Sequence, residues 1–289
     1  MIKNDPKDWI SFIFKFHKSD TIRTLFPSMI LICLYTFGVI HIERYYFSEN
    51  SLIKNFTVVH GLLGFVISML LVFRTNTAYD RWWEGRKQWG TLTNISRSFA
   101  IKLSAMLAPD DSVNRSFFVK TISVFSVTLK NHLRSEETKT ELFDIDTDEH
   151  VIDHTKHLPN QVSLLINKRV QNLVRQHKLT SDQVLLLNDE LRNFNEVVGA
   201  CERIKNTPIP YSYSAFLKKF IFVYVITLPI GYVFLLGYYL IPVIAFVFYV
   251  LASLELIAEE IEDPFGNDAN DLPLDRITEN IGKNVTDIL

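Results

Sequence analysis

Residues 56 to 73 read FTVVHGLLGFVISMLLVF, a run without a single charged side chain. A helix crossing about 30 Å of hydrocarbon at about 1.5 Å per residue needs roughly 20 apolar residues, so this run predicts a transmembrane helix. Its pattern says more than its hydropathy. Phe65, Met69 and Phe73 recur every four residues and share one face, while Gly61, Gly64 and Ser68 form a second stripe displaced by roughly 100°. Small residues let a neighbouring membrane helix approach closely. The bulky stripe can pack on other helices or, in a symmetric ring, face an axis; periodicity alone favours packing.

Working outward, Leu25 to Ile40 (LFPSMILICLYTFGVI) is a second uncharged run, joined to the first through a polar segment containing Glu43, Arg44 and Lys54. The two read as a helical hairpin with spans at 25–41 and 56–73. Residues 220–254 also carry no charge and are too long for one crossing, but Gly231, Gly237 and Pro242 offer places to break, giving a second transmembrane pair. Aromatic residues near the ends of the runs (Tyr45, Tyr46, Phe47, Tyr211, Tyr213, Tyr238, Tyr239) suit membrane interfaces. Lys3, Lys7, Lys15, Lys18 and Arg23 precede the first span, and Arg74, Arg81, Arg86 and Lys87 follow the second, with only Arg44 and Lys54 between them. The excess of basic residues marks the cytoplasmic side, so the N-terminus is expected there; Lys218 and Lys219 start the second pair from the same side, and four crossings return the C-terminus to it. The apolar residues Trp9, Ile10, Phe12, Ile13, Phe14 and Phe16 are too interrupted by charge for a secretory leader and read as an interfacial helix.

The composition agrees with a membrane protein: 48% of the 289 residues are hydrophobic, and the mean hydropathy is +0.12, where soluble domains fall below zero. Thirty basic against 32 acidic residues leave a net charge of -2, which argues against nucleic acid as a partner. The two cysteines, Cys33 and Cys201, are too few for a disulfide framework or a cysteine-rich metal site.

Residues 74–219 are mixed in composition and read as a mainly cytosolic helical region. Leu92, Ile95, Phe99, Leu103 and Leu107 mark one helical stripe, and Phe117, Ile122, Phe125 and Leu129 another. An amphipathic segment follows from Gln161 to Gln176. Thr180-Ser181-Asp182 then signals the start of a helix whose pattern runs from Val184 to Ile204. No strand alternation or hairpin dipeptide appears, so the fold class is all-α. Ser135 to Pro159, rich in acids and histidines, reads as a loop. His150, His154 and His157, with Asp153, would share a helical face in zinc-ligand spacing. The segment is weakly helical, abuts Pro159 and lacks the glutamate placement of zinc-protease motifs, so a solvated loop is the better reading and no metal or cofactor is assigned. There is no P-loop, dinucleotide fingerprint or nucleophile elbow, and no enzyme is expected.

After the apolar span comes FRTNTAYDRWWEGRKQWG, residues 73 to 90, followed in order by HLPNQ at 157 to 161, TPIPYSY at 207 to 213 and EIEDPFGNDANDLPLD at 260 to 275. This set resembles the bestrophin family, with Arg81-Trp82-Trp83 matching its best-known signature and the Phe73-Arg74-Thr75-Asn76 start resembling its prokaryotic branch. The resemblance covers nearly the whole chain, as one channel domain over 1–289 with a cytosolic tail at 255–289.

The resemblance implies a homopentameric, mostly helical ion channel around one axis. Its second span lines a narrow neck, and the family's neck positions carry over to Phe65, Met69 and Phe73, the same bulky stripe, now as three stacked apolar rings rather than packing. Met69 departs from an all-Phe or Phe/Ile neck, and a thioether lacks the quadrupole of an aromatic ring. The family's cytosolic aperture falls on Ile209 within Pro208-Ile209-Pro210. In animal members an acidic run after Pro-Phe-Gly binds calcium; here Asn267-Asp268-Ala269-Asn270-Asp271 keeps two carboxylates. Calcium control is therefore not expected, and Asp268 and Asp271 are expected to cap helices or to pair with Arg or Lys of a neighbouring subunit. The implied partners are further copies of the chain, membrane lipid and small monovalent ions, in a bacterial inner membrane. Chloride is the family's name-giving ion. Sodium or potassium would be favoured if Asp144, Asp146, Asp148, Glu149, Glu259, Glu260, Glu262 and Asp263 faced the axis. The alternatives are a membrane-embedded enzyme built on the histidine face and a non-conducting scaffold.

Overall fold

The computed structural model describes residues 21–46, 51–137, 152–153 and 155–289. The interfacial helix expected around Trp9 to Phe16, the acids Asp144 to Glu149, and His150 and His154 lie outside them. Among the described residues there is no strand. The helices are α1 (Thr21–Tyr46), α2 (Ser51–Met106), α3 (Ser112–Arg134), α4 (Leu158–Arg175), α5 (Ser181–Asn206), α6 (Tyr211–Leu236), α7 (Leu240–Glu262) and α8 (Leu274–Ile288). The described residues form two compact units, one from those up to Arg81 together with Ile209–Glu262, the other from those between Trp82 and Pro208 together with Asp263–Leu289. The helix α2 is unbroken and contributes to both.

In the first unit, α1 packs against α6 and α7, and these two pack on each other. Their common core is Ile40, Leu217, Ile221, Val225, Leu228 and Ile244, joined by Ile67 and Leu71 of α2. The long apolar stretch predicted to break does so at Gly237, whose φ of +55° glycine adopts without Cβ strain. A three-residue 3-10 turn, Gly237–Tyr239, leads into α7. The Arg44 guanidinium covers this uncharged turn, 5.0 Å over the Tyr238 ring. Among the described residues, three stretches are long and apolar enough to cross a membrane: Thr21–Tyr46, Phe56–Met106 and Tyr211–Glu262. The small stripe of α2 is used in part. A Cβ on Gly64 would come within 2.8 Å of the Tyr224 hydroxyl of α6, whereas Gly61 faces open space.

The second unit is built like a soluble helical domain. Trp89, Leu92, Phe99 and Leu103 of α2 meet Phe118, Ile122, Phe125 and Leu129 of α3, Phe194 and Val198 of α5, and Val285 of α8 in one core. Phe99 makes edge-to-face contacts with Phe118 and Phe194, with centroids 6.0 and 5.8 Å apart. The helix ends are chemically specified. Asp111 caps α3, and Thr180 with Gln183 forms a capping box on α5, as the start signal at Thr180 predicted. The helix α4 begins at Leu158, earlier than the pattern from Gln161 suggested, because His157 supplies its N-cap and Pro159 fits its first turn.

Candidate ion pathway

On α2 the two faces of the apolar span part company. Ile67 and Leu71 are 1% exposed, while Phe65, Met69 and Phe73 are 70%, 50% and 55% exposed. The bulky stripe is therefore not core of its own chain. Large apolar side chains left open at this spacing need lipid or another protein surface to cover them.

Arg74 follows directly after Phe73, and it is buried. Its Nη2 lies 2.7 Å from Glu262 Oε2 and its Nε 3.5 Å from Glu255 Oε2, both on α7. The other oxygen of Glu262 accepts the backbone N–H of Ile209 at 2.7 Å. Prolines carry no N–H, so within Pro208-Ile209-Pro210 this is the only amide donor, and Glu262 takes it. One carboxylate thus ties the residue after the stripe to the residue expected at the aperture. Arg81 Nε adds a hydrogen bond to the Glu262 carbonyl at 3.1 Å. The sequence marks Arg74 as a basic flank and as part of the Phe73-Arg74-Thr75-Asn76 segment, but not as a buried ion. A buried guanidinium is tolerated because carboxylates accompany it, and nothing local in sequence shows which ones, since Glu255 and Glu262 lie far along the chain.

In the second unit, Trp82 Nε1 donates to the Asn270 carbonyl at 3.0 Å, and Leu272 N–H donates to the Pro264 carbonyl at 2.9 Å, closing the loop at 263–272. Asp271 is buried, and its Oδ2 accepts the Asp268 N–H at 2.7 Å. Capping by these aspartates is not seen at α8, whose N-cap is Pro273. The basic residues of α3 engage Asp275 instead, with Lys130 at 2.7 Å and Arg134 at 2.9 Å. Calcium takes six to eight oxygen ligands. The loop offers three carboxylates, Asp263, Asp268 and Asp271, of which Asp263 accepts the Phe265 N–H and Asp271 the Asp268 N–H within the loop itself, while the Asn267 side chain donates to Glu136, so the donor set does not fit the calcium clasp of animal relatives. Trp83, the third signature residue, is half-exposed.

His157 is found with other partners than its sequence neighbours. Its Nε2 lies 2.6 Å from Glu202 Oε1, and His132 Nε2 lies 2.7 Å from the same oxygen. Burial would raise the Glu202 carboxyl, but the hydrogen bonds from His157 and His132 hold it below the usual carboxylate range. The adjacent Cys201 thiol is pushed up to about 12 by burial, helped by the charges of Glu202 and Glu84, which makes it an inert core thiol.

The family model for bacterial and fungal bestrophin proteins matches residues 1–287. The chain belongs to the bestrophin family. Among relatives of this bestrophin, a protein of Nostoc sp. PCC 7120 named voltage-dependent anion channel-forming protein alr2987 is 37% identical over 228 residues, 77% of this chain and 74% of the relative. The Escherichia coli K12 protein named voltage-dependent anion channel-forming protein YneE is 32% identical over 280 residues, 96% of this chain and 90% of its own. A crystal structure of a bacterial bestrophin homologue from Klebsiella pneumoniae superposes with a TM-score of 0.80 at 28% identity, covering 90% of this chain and 96% of that one. The fold and the membrane character of this bestrophin are shared with these relatives.

Proposed function

We propose that this bestrophin is one subunit of a homopentameric channel that passes small monovalent ions, anions foremost, down their gradient. The observation that carries the reading is the exposed stripe of Phe65, Met69 and Phe73 beside the buried Ile67 and Leu71. Five copies would turn each stripe position into an apolar ring, and stacked apolar rings narrow enough to shed water hinder ions without any charge. Met69 in the middle ring makes that ring softer than its aromatic neighbours. Ile209, fixed by two prolines and by the Glu262 carboxylate, forms the second constriction on the cytosolic side. On this reading the chain makes four crossings, with α6 and α7 as the second pair, both termini in the cytoplasm of a bacterium and the protein in its inner membrane. Anion preference follows the names of the relatives. The carboxylates Glu255 and Glu262 do not oppose it, because both are turned onto Arg74.

The test is reconstitution of purified protein in planar bilayers with asymmetric NaCl. The reading expects ion-selective currents reversing near the chloride equilibrium potential. Reversal near the sodium potential would overturn anion preference, and silence from verified pentamers would favour a scaffold.

A further inference from the structure

His132 lies in the last turn of α3, His157 caps α4 and Glu202 lies near the end of α5, so three helix ends converge on one point of the second unit. Both imidazole Nε2 atoms rest on a single oxygen, Glu202 Oε1, and the rings meet edge to face with centroids 4.4 Å apart. One donor atom from each residue falls within 4.8 Å of the other two. The three side chains are each about a third exposed. His132 and His157 line a pocket of about 270 Å³ together with Ser135, Glu136, Lys156 and Lys205.

We propose that His132, His157 and Glu202 form a binding site for one divalent transition-metal ion of zinc type, with a remaining coordination position open to solvent. Two imidazoles and one carboxylate are a donor set that zinc accepts with three protein ligands and an open fourth position. Calcium and magnesium, which prefer oxygen throughout, are disfavoured by the imidazoles. Neither pocket lysine competes for the donor atoms. Lys205 Nζ donates to the His132 carbonyl at 3.1 Å and to Ser135 Oγ at 2.8 Å, and Lys156 pairs with Asp153 at 3.3 Å.

The metal-free state and the loaded state differ in where protons sit. The Asn160 N–H donates to His157 Nδ1 at 3.3 Å, so the neutral ring carries its proton on Nε2 and donates it to Glu202. For Nε2 to bind a metal its proton must first leave that nitrogen; it moves to Nδ1, which frees the Nε2 lone pair, and the cap hydrogen bond from Asn160 is given up. Zinc–nitrogen bonds of about 2.0–2.1 Å in a tetrahedron separate ligand atoms by about 3.3 Å. The donors, now 2.6 and 2.7 Å apart, must open by about 0.6 Å, which partly exposed side chains beside a pocket can do. Loading would staple the ends of α3, α4 and α5 together.

Purified full-length protein, stripped by a chelator, is titrated calorimetrically with Zn²⁺ alone, for wild type, His132→Ala and Glu202→Gln; the last keeps an acceptor for both imidazoles. The proposal expects one Zn²⁺ per chain and at least about tenfold weaker binding in each variant. No saturable binding, or binding unchanged in folded variants, overturns it. X-ray absorption on zinc-loaded wild type is independent of how the variants fold. A shell with two imidazoles supports the site, and a shell without imidazole refutes it. Both measurements read metal rather than ion flux, so their outcome is separate from the channel reading.

Discussion

Along α2, Phe65, Met69 and Phe73 stand open while Leu92, Phe99 and Leu103 of the same helix are fully buried. The two halves are both rich in large apolar side chains, yet only the second finds enough apolar surface within its own chain. Charge follows the opposite course. Arg74 in the first half is buried against Glu262 and Glu255, while Arg97 in the second is exposed to solvent. A segment that exposes its apolar groups and shelters its ions is built for a surrounding of lipid or identical subunits. The other segment is built for water.

The largest effect expected from this contrast is on stability. Phe118, fully buried in the second unit, should cost about 3–5 kcal/mol when cut to alanine. Phe65→Ala should cost about 0.5 kcal/mol or less, since its side chain is open. Thermal unfolding of both variants in the same detergent checks this, and equal losses would break the comparison.

Next comes the sheltered ion cluster. Glu262→Gln removes the charge facing Arg74 while leaving an acceptor for the Ile209 N–H, and should destabilise by about 1–3 kcal/mol. Single-channel conductance sharpens the result: a Glu262→Ala variant, which also releases Ile209, should alter conductance more than Glu262→Gln does. Identical conductance in both would mean that the carboxylate does not position the aperture.

The smallest effect lies on the watered side. The hydrogen bond from Lys130, with help from Arg134 against the desolvation that opposes it, holds the Asp275 carboxyl below the usual range. A depressed folded-state pKa adds stability above the unfolded value of about 4, and this is lost as pH falls through the lower folded value. The side chain is 66% exposed, so the contribution is at most about 1 kcal/mol after screening. Unfolding midpoints of wild type and Asp275→Asn should differ slightly at pH 7 and merge in acid once the pH has fallen through the lowered folded-state value. A gap that persists in acid would assign the effect to packing.

Much of this architecture was legible in the sequence where it depends on neighbours a few residues apart. The stripe at Phe65, Met69 and Phe73 follows from helical periodicity, the start of α5 from Thr180 and Gln183, and the break of the last apolar stretch from Gly237. What periodicity could not decide was whether the stripe packs or stands open, because that depends on the other helices. Contacts between distant positions were also hidden. Spacing groups His157 with His150 and His154, yet it meets Glu202, 45 residues further on in α5, and His132, which lies earlier in the chain in α3. The ion pairs of Arg74 were hidden in the same way, since Glu255 and Glu262 reach it only through α7. The signature Trp82 likewise meets a distant partner, the Asn270 carbonyl that it holds.

The central claim is that the open stripe of α2 lines the ion path. Phe65→Ala, Met69→Ala and Phe73→Ala combined in one protein, verified as a pentamer and reconstituted in liposomes, test it through chloride flux. Removing three apolar rings should widen and wet the passage and raise flux by about tenfold or more. Intact pentamers with flux no greater than wild type would contradict the account, because side chains that limit ion passage cannot be cut away without consequence.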